Sequence, residues 1–488
     1  MERPARRVHL AVAAVRHHLA CLMGVILMAG LAGPSAAAPE PLRLHPENPH
    51  YFLFRGQPTV IIGSGEHYGA VLNLDFDYVT YLETLQRDGM NHTRLFVGPY
   101  CESDTSFNIV RNTLAPAPGR FACAWARSEF PGYANGGNRF DLTRWDEAFF
   151  ARLRDFVATA GRCGVIVEVN LFCPYYGDPM WGLSPLNPSN NVNALGPVER
   201  TEVFSLDGHA GLLAIQEQMV RKVVSELAEF DNLYYEIMNE PYARDVPDDW
   251  QRHIAAIIVD AQSAGPRHLI SQNIANHQAQ VTDPDPNVSI LNFHYAWPPV
   301  TIGMNYALDR AIGDNETGFK GTADFSYRRE AWAFLTAGGS LYSNLDYSFT
   351  VGHEDGSFEL PEKQPGGGGA GLRQQLRVLG DFLRGFDFIR MAPLPEALAG
   401  ELPDGLHAFV LAEVGQQYAV YLCHDEPQSQ ATAAELLLDL PAGQYRITWL
   451  DALTGATLGE ATLHHEGGTV GLTSPPFAED SALRAIGE

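Results

Sequence analysis

From residue 59 onward, short apolar runs alternate along the chain with stretches in which apolar residues recur at helical spacing. The run Thr93–Val97 is typical of a buried strand, whereas Tyr78, Leu82 and Leu85 share one face of a predicted helix over residues 75–90. Such alternation predicts parallel strands joined by helices, and eight of these units predict a (β/α)8 TIM barrel. The eight predicted strands begin at Pro58, Thr93, Val165, Leu233, His268, Ile290, Ala311 and Leu341.

The pattern changes from about Pro393 onward. Short strand-like runs, among them Tyr418–Leu422 and Gln444–Leu450, are separated there by Gly, Pro and Asp, which predicts a small antiparallel β-sandwich. The predicted fold is therefore α/β, with a barrel over residues 38–391 and a sandwich domain over 392–488. Because the connection between them is short, we expect the sandwich to dock rigidly on the flank of the barrel.

The N-terminus has the pattern of a secretory signal peptide. Four Arg residues precede an apolar run over residues 19–32, and small residues follow at 33–37. The run is too short to cross a membrane comfortably. We predict a signal peptide over residues 1–37 and a mature protein that is secreted or periplasmic.

The acidic charge balance narrows the range of partners. Removal of residues 1–37 takes away four Arg and one Glu, which changes the formal net charge from −25 to −28. A chain of this charge repels nucleic acid and anionic membranes, so neither is an expected partner. No Cys or His cluster has metal-ligand spacing, so neither a metal nor another cofactor is expected. The sequence leaves the oligomeric state open.

Five cysteines follow residue 37, an odd number for an oxidising compartment. Cys163 and Cys173 stand at opposite ends of the third predicted strand, beyond disulfide reach. Cys101 and Cys123 share the long loop after the second strand, so we predict that they form a disulfide that stiffens this loop.

The strand that begins at Leu233 ends in Asn239-Glu240-Pro241, where Pro241 stops it. A carboxylate at the end of a buried strand is costly unless it is paired or functional, and in a parallel barrel this position opens on the active face. Glu316 ends the seventh predicted strand 76 residues later. Two such carboxyl groups suit glycoside hydrolysis, although each could instead form a salt bridge. Asp314, two residues before Glu316, is its local competitor.

The strand that ends in Asn-Glu-Pro resembles the fourth barrel strand of glycoside hydrolase clan A. The resemblance spans about residues 50–390 and includes family-five-like and apiosidase-like secreted enzymes with a C-terminal sandwich. It implies that Glu240 is the general acid/base and Glu316 the nucleophile. It also implies that Arg94, in Asn-His-Thr-Arg, keeps the nucleophile ionised, and that Asn239 binds the sugar 2-hydroxyl.

Two aromatic positions of the clan have less certain counterparts. His294-Tyr295 matches the strand-six histidine and the aromatic residue whose hydroxyl steadies the nucleophile, and which of the two does so stays open. The tryptophan common at the end of strand eight is missing from Tyr342–Tyr347. Tyr342, Tyr347 or Trp297 could supply the aromatic face on which a sugar stacks.

Further candidates lie on loops of the same face. Glu66 and His67 follow the first strand and could contact hydroxyls at the non-reducing end of the sugar, or form a hydrogen-bond network within the loop. Tyr175, Tyr176 and Trp181 could serve as sugar subsites or as loop packing. Long loops after strands two, three and eight favour a pocket for chain ends or short oligosaccharides over an open cleft.

These observations predict a secreted, retaining glycoside hydrolase that acts on polysaccharide-derived oligosaccharides. A first alternative is a non-catalytic carbohydrate-binding protein on the same barrel. A second is a metal-dependent hydrolase that uses Glu66, His67 and His294, which lack a spaced ligand motif.

Overall fold

The computed structural model describes residues 40–488, and the predicted signal peptide at 1–37 lies outside the described residues. Eight parallel strands close into a barrel in which each strand pairs with the next along the chain, and the eighth pairs with the first. The predicted TIM barrel is thus confirmed. Its strands are β1 (Ile61–Gly65), β2 (His92–Phe96), β3 (Ile166–Asn170), β4 (Leu233–Glu236), β5 (Ile270–Asn276), β6 (Ile290–His294), β7 (Ala311–Thr317) and β8 (Leu341–Leu345).

Helices surround the barrel, and their ends follow local sequence rules. In the first helix, Asp77 caps the N-terminus by accepting hydrogen bonds from the backbone N–H groups of Val79 and Thr80. Gly89 ends that helix in the left-handed conformation, with φ of 83°. The helices are α1 (Tyr78–Asp88), α2 (Glu147–Arg162), α3 (Asp178–Leu183), α4 (Ala210–Leu227), α5 (Asp248–Ala261), α6 (Val300–Asn305), α7 (Asp324–Thr336) and α8 (Ala370–Arg384).

Two details of the barrel differ from the sequence-based expectation. The first barrel strand starts at Ile61, because Gln57–Thr59 instead pairs antiparallel with Phe52–Phe54 in a separate small sheet. Within the described chain, the connection from β5 to β6 over residues 277–289 contains no helix.

No helix of residues 40–488 has the length and apolar character needed to cross a membrane.

The barrel interior changes character along its axis. Near the N-terminal ends of the strands, Ile61, Ile166, Ile290 and Leu341 form an apolar layer against Phe52. Further along the strands the interior becomes polar, and the functional candidates occupy this half. The apolar layer therefore excludes water from one end of the barrel while the other opens on the face with the long loops.

The predicted disulfide between Cys101 and Cys123 is wrong, since both residues are buried free thiols. The Cys101 sulfur lies 3.8 Å from the Tyr133 hydroxyl, whereas the Cys123 thiol lies 3.9 Å from the Trp125 carbonyl oxygen. Each thiol is thus directed at a different polar partner. Burial raises the pKa of both to about 12, which makes them poor nucleophiles.

The C-terminal segment forms two antiparallel sheets, which confirms the predicted sandwich. A six-stranded sheet and a two-stranded sheet enclose an apolar core that includes Val410, Val420, Leu436, Leu438 and Trp449. The strands are β9 (Ala392–Pro393), β10 (Leu406–Glu413), β11 (Gln417–His424), β12 (Glu435–Leu440), β13 (Gly443–Leu450), β14 (Thr457–His465), β15 (Gly468–Thr473) and β16 (Asp480–Gly487). The larger sheet has the order β9-β10-β11-β16-β13-β14, and β12 pairs with β15.

A buried ion pair joins the sandwich to the barrel. The guanidinium of Arg328 on α7 binds the Asp480 carboxylate on β16 at 2.8 Å, and both side chains are about 2 % exposed. One turn further along α7, the ring of Trp332 stacks on Tyr421 of β11 with centroids 5.3 Å apart. These contacts place the sandwich against α7.

We predict that Arg328→Met lowers the free energy of unfolding by about 3–5 kcal/mol, because it leaves Asp480 buried without its cation. Urea unfolding followed by fluorescence measures this loss. The matched control is Arg390→Met, whose ion pair with Asp387 is more than 60 % exposed. It should change the free energy of unfolding by no more than about 0.5 kcal/mol. Equal effects of the two variants would contradict a structural role for the Arg328 pair.

Candidate active site

A pocket of about 250 Å³ opens on the barrel face formed by the C-terminal ends of the strands. Its wall contains residues from the ends, or the following loops, of seven of the eight barrel strands. Glu240 and Glu316, the two carboxylates predicted from the sequence, both line it. The wall residues are His67, Tyr68, Phe96, Glu102, Phe107, Leu114, Cys173, Tyr176, Asn239, Glu240, Asn276, Tyr295, Glu316 and Phe319.

Glu316 lies on β7 and is held by three donors. The Tyr295 hydroxyl donates to Oε1 at 2.6 Å, while the Tyr68 hydroxyl and Arg94 Nη1 donate to Oε2 at 2.7 and 3.0 Å. Burial alone would raise the pKa of Glu316, but the charges of His294 and Arg94 and the two hydroxyls outweigh it and lower that pKa to about 2. Glu316 is therefore a carboxylate over the physiological range.

Glu240 has different surroundings. The Tyr176 hydroxyl donates to its Oε2 at 2.6 Å, and His294 Nδ1 lies 3.1 Å from its Oε1. The Tyr242 hydroxyl is more distant, at 3.4 Å. The backbone N–H of Glu240 donates to the Asn273 side chain on β5, which fixes the turn after β4. Unlike Glu316, this carboxyl group has no contact with the Arg94 guanidinium among the described hydrogen bonds and ion pairs.

The two carboxyl groups lie close together, with His294 between them. One oxygen of Glu240, one ring nitrogen of His294 and one oxygen of Glu316 all fall within 4.8 Å of one another. Glu240, Tyr68 and Tyr295 have φ values of 39°, 62° and 54°, in the left-handed region that non-glycine residues rarely adopt. Such strained backbone is concentrated at functional sites, where the surrounding structure maintains it.

Arg94, 2 % exposed on β2, connects the pocket to the barrel interior. Its Nε binds Glu168 at 2.7 Å, and its Nη2 binds Glu236 at 2.5 Å and the Asn239 side-chain oxygen at 2.9 Å. Burial would raise the pKa of Glu168, but the charge of Arg94 lowers it well below the ordinary value. The guanidinium thus fixes Glu316, the candidate nucleophile, and Asn239, which directly precedes the candidate acid/base Glu240.

Glu236, the last residue of β4, is an unexpected third carboxyl group in this network. Burial and the nearby Glu168 charge raise its pKa well above the ordinary value. Side-chain amides of Asn170, Asn292 and Asn315 donate to it at 2.7–2.9 Å and partly offset the burial. No sequence signal distinguished Glu236 from an ordinary strand residue.

Four of the other predicted site residues reach the pocket or its immediate support. Asn239, Tyr295 and His67 line the pocket, and His294 lies directly behind the two carboxyl groups. Of the His294-Tyr295 pair, Tyr295 provides the hydroxyl that contacts Glu316. Asp314, also on β7, is fully buried and accepts a hydrogen bond from the backbone N–H of Ala296 at 3.3 Å, and burial raises its pKa well above the ordinary value.

Three predicted binding residues lie elsewhere. The Glu66 carboxylate accepts the backbone N–H groups of Gly69 and Ala70, both at 3.0 Å, and so stabilises the loop after β1. The Tyr342 hydroxyl is fully buried and donates to the Tyr327 carbonyl at 2.8 Å. Neither residue lines the pocket.

Trp297 is also directed away from the pocket. The Arg329 guanidinium lies 4.1 Å from the centroid of its ring, and the ring of His407 on β10 of the sandwich is 5.5 Å away. The left-handed conformation of Tyr295, two residues earlier, turns the chain so that Tyr295 faces the pocket and Trp297 faces the sandwich.

Other pocket residues were missed by the sequence analysis. Tyr68 directly follows the predicted Glu66-His67 pair, so its position was a usable signal. Glu102, Phe107 and Phe319 belong to long loops without periodic pattern, and Asn276 ends β5. Tyr176, one of the loop aromatics considered as a subsite, is the residue that contacts Glu240.

The family model described as Cellulase (glycosyl hydrolase family 5) matches residues 80–305. A solved glycoside hydrolase structure has a TM-score of 0.61 and 13% sequence identity, with 92% of this chain and 97% of that chain covered. A glycoside hydrolase family 5 structure from Bacteroides vulgatus has a TM-score of 0.58 and 13% identity, with 92% and 93% covered. The comparison with curated proteins found no match. The resemblance predicted from the sequence is therefore confirmed: the chain is similar to glycoside hydrolase family 5 over residues 80–305, and its fold is a (β/α)8 barrel with a C-terminal β-sandwich.

Proposed function

We propose that the protein is a secreted, retaining O-glycoside hydrolase that cleaves polysaccharide-derived oligosaccharides by double displacement. The observation that supports this most is the pair Glu240 and Glu316, which share one pocket with oxygens within 4.8 Å. Retaining enzymes place their carboxyl groups about 5–5.5 Å apart, against about 6.5–9.5 Å for inversion. The basic and apolar segments before residue 33 support secretion.

The two carboxyl groups divide the chemistry according to their surroundings. Glu316, kept ionised by Arg94 and by the hydroxyls of Tyr68 and Tyr295, attacks the anomeric carbon. Glu240 gives a proton to the leaving glycosidic oxygen as that bond breaks. The products of this step are the released alcohol and a glycosyl ester of Glu316.

The second step reverses these roles. Glu240, now a carboxylate, removes a proton from water, and the water oxygen attacks the anomeric carbon as the ester bond to Glu316 breaks. Two displacements at the same carbon retain its configuration. The Tyr176 hydroxyl, 2.6 Å from Glu240, orients this carboxyl group through both steps.

Asn239 supports binding beside the reacting carbon. Arg94 fixes its side-chain oxygen, and the amide nitrogen donates to the Tyr176 hydroxyl at 2.9 Å. The residue is 4 % exposed and lines the pocket next to Glu240. This position suits a hydrogen bond to the sugar 2-hydroxyl, which strengthens in the transition state.

We predict that Glu316→Ala abolishes turnover of aryl glycosides, because no ester can form. Glu240→Ala should reduce turnover about 10²–10⁴-fold for substrates whose leaving group needs a proton, and much less for dinitrophenyl glycosides. With azide, Glu240→Ala should yield a glycosyl azide of retained configuration and Glu316→Ala one of inverted configuration. Proton NMR of the products reads both results.

Three outcomes would contradict the proposal. Inversion of the anomeric carbon by the wild-type protein would exclude the double displacement. Full activity of Glu316→Ala would exclude this nucleophile. A melting temperature that rises with sugar while no phenol is released from any glycoside would favour the carbohydrate-binding alternative.

The charge state of Glu316 also predicts how stability depends on pH. Its pKa in the folded protein is about 2, against an ordinary value of 4.5, so the ionised group stabilises the fold above pH 4.5 and this contribution disappears as the pH falls towards 2. Between pH 4.5 and pH 2, the free energy of unfolding of the wild-type protein should fall by up to about 3 kcal/mol more than that of Glu316→Gln. Urea unfolding at several pH values measures the difference. Parallel curves for the two proteins would contradict a lowered pKa.

A further inference from the structure

We propose that the pocket accepts one neutral sugar unit at the non-reducing end of a chain, with Glu102 as the group that recognises its hydroxyls. The protein would then be exo-acting and would release monosaccharides. This inference rests on the proposed glycosidase function and adds to it the substrate class and a specificity-determining residue.

Aromatic residues from three loops narrow the mouth of the pocket. Phe107, from the loop after β2, meets Phe319, from the loop after β7, with ring centroids 6.3 Å apart. Phe107 also lies 5.3 Å from the ring of Tyr176, from the loop after β3. Both phenylalanines remain about 40 % exposed, which places them at the rim. These contacts join three loops around the mouth of the pocket.

The size of the cavity agrees with a single unit. Its volume of about 250 Å³ is below the roughly 300–1,000 Å³ typical of sites for small organic ligands. One sugar ring fills such a space, and a second ring would have to lie outside the rim, against Phe107 and Phe319. The exposed rings suit contact with the rest of the substrate.

The Glu102 side chain is held in a position from which it can accept hydrogen bonds from that sugar. It is 5 % exposed and lines the pocket. The Tyr100 hydroxyl donates to its Oε1 at 2.9 Å, while Asn112 Nδ2 lies 2.5 Å and His67 Nε2 3.3 Å from its Oε2. A carboxylate offers about four lone-pair sites, so these three donors fix its orientation and leave capacity for a sugar hydroxyl. Phe96 and Leu114 provide the apolar wall beside it.

The charges that face the pocket favour a neutral sugar. Glu102, Glu240 and Glu316 all line it. Of the cations nearby, Arg94 is bound to three carboxyl groups and His67 lies against Glu102. Burial would lower the pKa of His67, but the charge of Glu102 raises it above the ordinary value. A uronate or a sulfated sugar would therefore bring its charge towards carboxylates without an uncommitted cation in the pocket wall.

The first test compares substrates and products. Aryl glycosides of neutral sugars should be hydrolysed at least about 100-fold faster, by kcat/KM, than the matching glucuronide or galacturonide. From oligosaccharides of the preferred sugar, the wild-type protein should initially release only the monosaccharide and the chain shortened by one unit. Early release of internal fragments, or preference for a uronide, would overturn the inference while leaving the glycosidase proposal intact.

The second test addresses Glu102 directly. Glu102→Gln should reduce kcat/KM for the preferred glycoside about 10- to 100-fold, because a hydrogen bond to a charged group is lost. The control is Asp104→Asn, which removes one negative charge from an exposed position of the same loop. Its kcat/KM should stay within about twofold of the wild-type value. A substrate that lacks the hydroxyl bound by Glu102 should lower kcat/KM of the wild-type protein by a similar factor. The same substrate should lower kcat/KM of Glu102→Gln hardly any further.

A binding measurement makes the test independent of turnover. In the Glu316→Ala background, calorimetry with neutral monosaccharides should give a Kd that Glu102→Gln weakens about 10-fold or more. Glu102→Asp keeps the charge but withdraws it by one methylene, and should weaken binding as well. Binding unchanged in both variants would overturn the role of Glu102. Sugar binding without turnover by wild type would instead contradict the proposed function.

Discussion

The buried guanidinium of Arg94 is the interaction on which the site depends. It contacts Glu168, Glu236 and Glu316 within 3.0 Å, so one cation organises carboxyl groups from β3, β4 and β7. Breaking a buried ion pair by removing one partner costs about 3–5 kcal/mol, because the remaining charge is left unpaired. Burial and the Glu168 charge keep the pKa of Glu236 raised despite Arg94, whereas the same cation helps to lower the pKa of Glu168 and of Glu316. The same group that holds the interior together therefore keeps the proposed nucleophile ionised.

This polar interior is compatible with a stable barrel because the two halves of the barrel differ. The apolar layer around Ile61, Ile166 and Leu341 closes the N-terminal end of the barrel, and the pocket opens from the charged half on the opposite face. Within that half, asparagine amides and tyrosine hydroxyls satisfy the carboxylate oxygens. The low local dielectric strengthens each of these contacts, and this is how Arg94, 3.0 Å from Glu316, helps to lower the pKa of that carboxyl group despite its burial.

Sequence reasoning predicted what depends on position along a strand. Glu240 follows the end of β4 by four residues and Glu316 lies near the end of β7. The parallel barrel brings the C-terminal ends of its strands together, so the proximity of the two residues followed from the strand order. Glu102 and Phe107 could not be predicted in this way, because they belong to a long loop whose path depends on tertiary packing. The disulfide prediction failed for the same reason, since sharing a loop does not direct two thiols at one another.

Trp297 shows how the sandwich contributes to the site. Trp297 was a candidate sugar platform because the eighth strand lacks the usual tryptophan, but the left-handed turn at Tyr295 directs the two rings to opposite sides. The Trp297 ring packs between Arg329 of α7 and His407 of the sandwich, while the Tyr295 hydroxyl contacts Glu316 at 2.6 Å. The loop after β6 is thus held at one end by the sandwich interface and at the other by the proposed nucleophile. Because the backbone between these contacts is only two residues long, the packing that docks the sandwich also restrains the hydroxyl that lowers the pKa of Glu316.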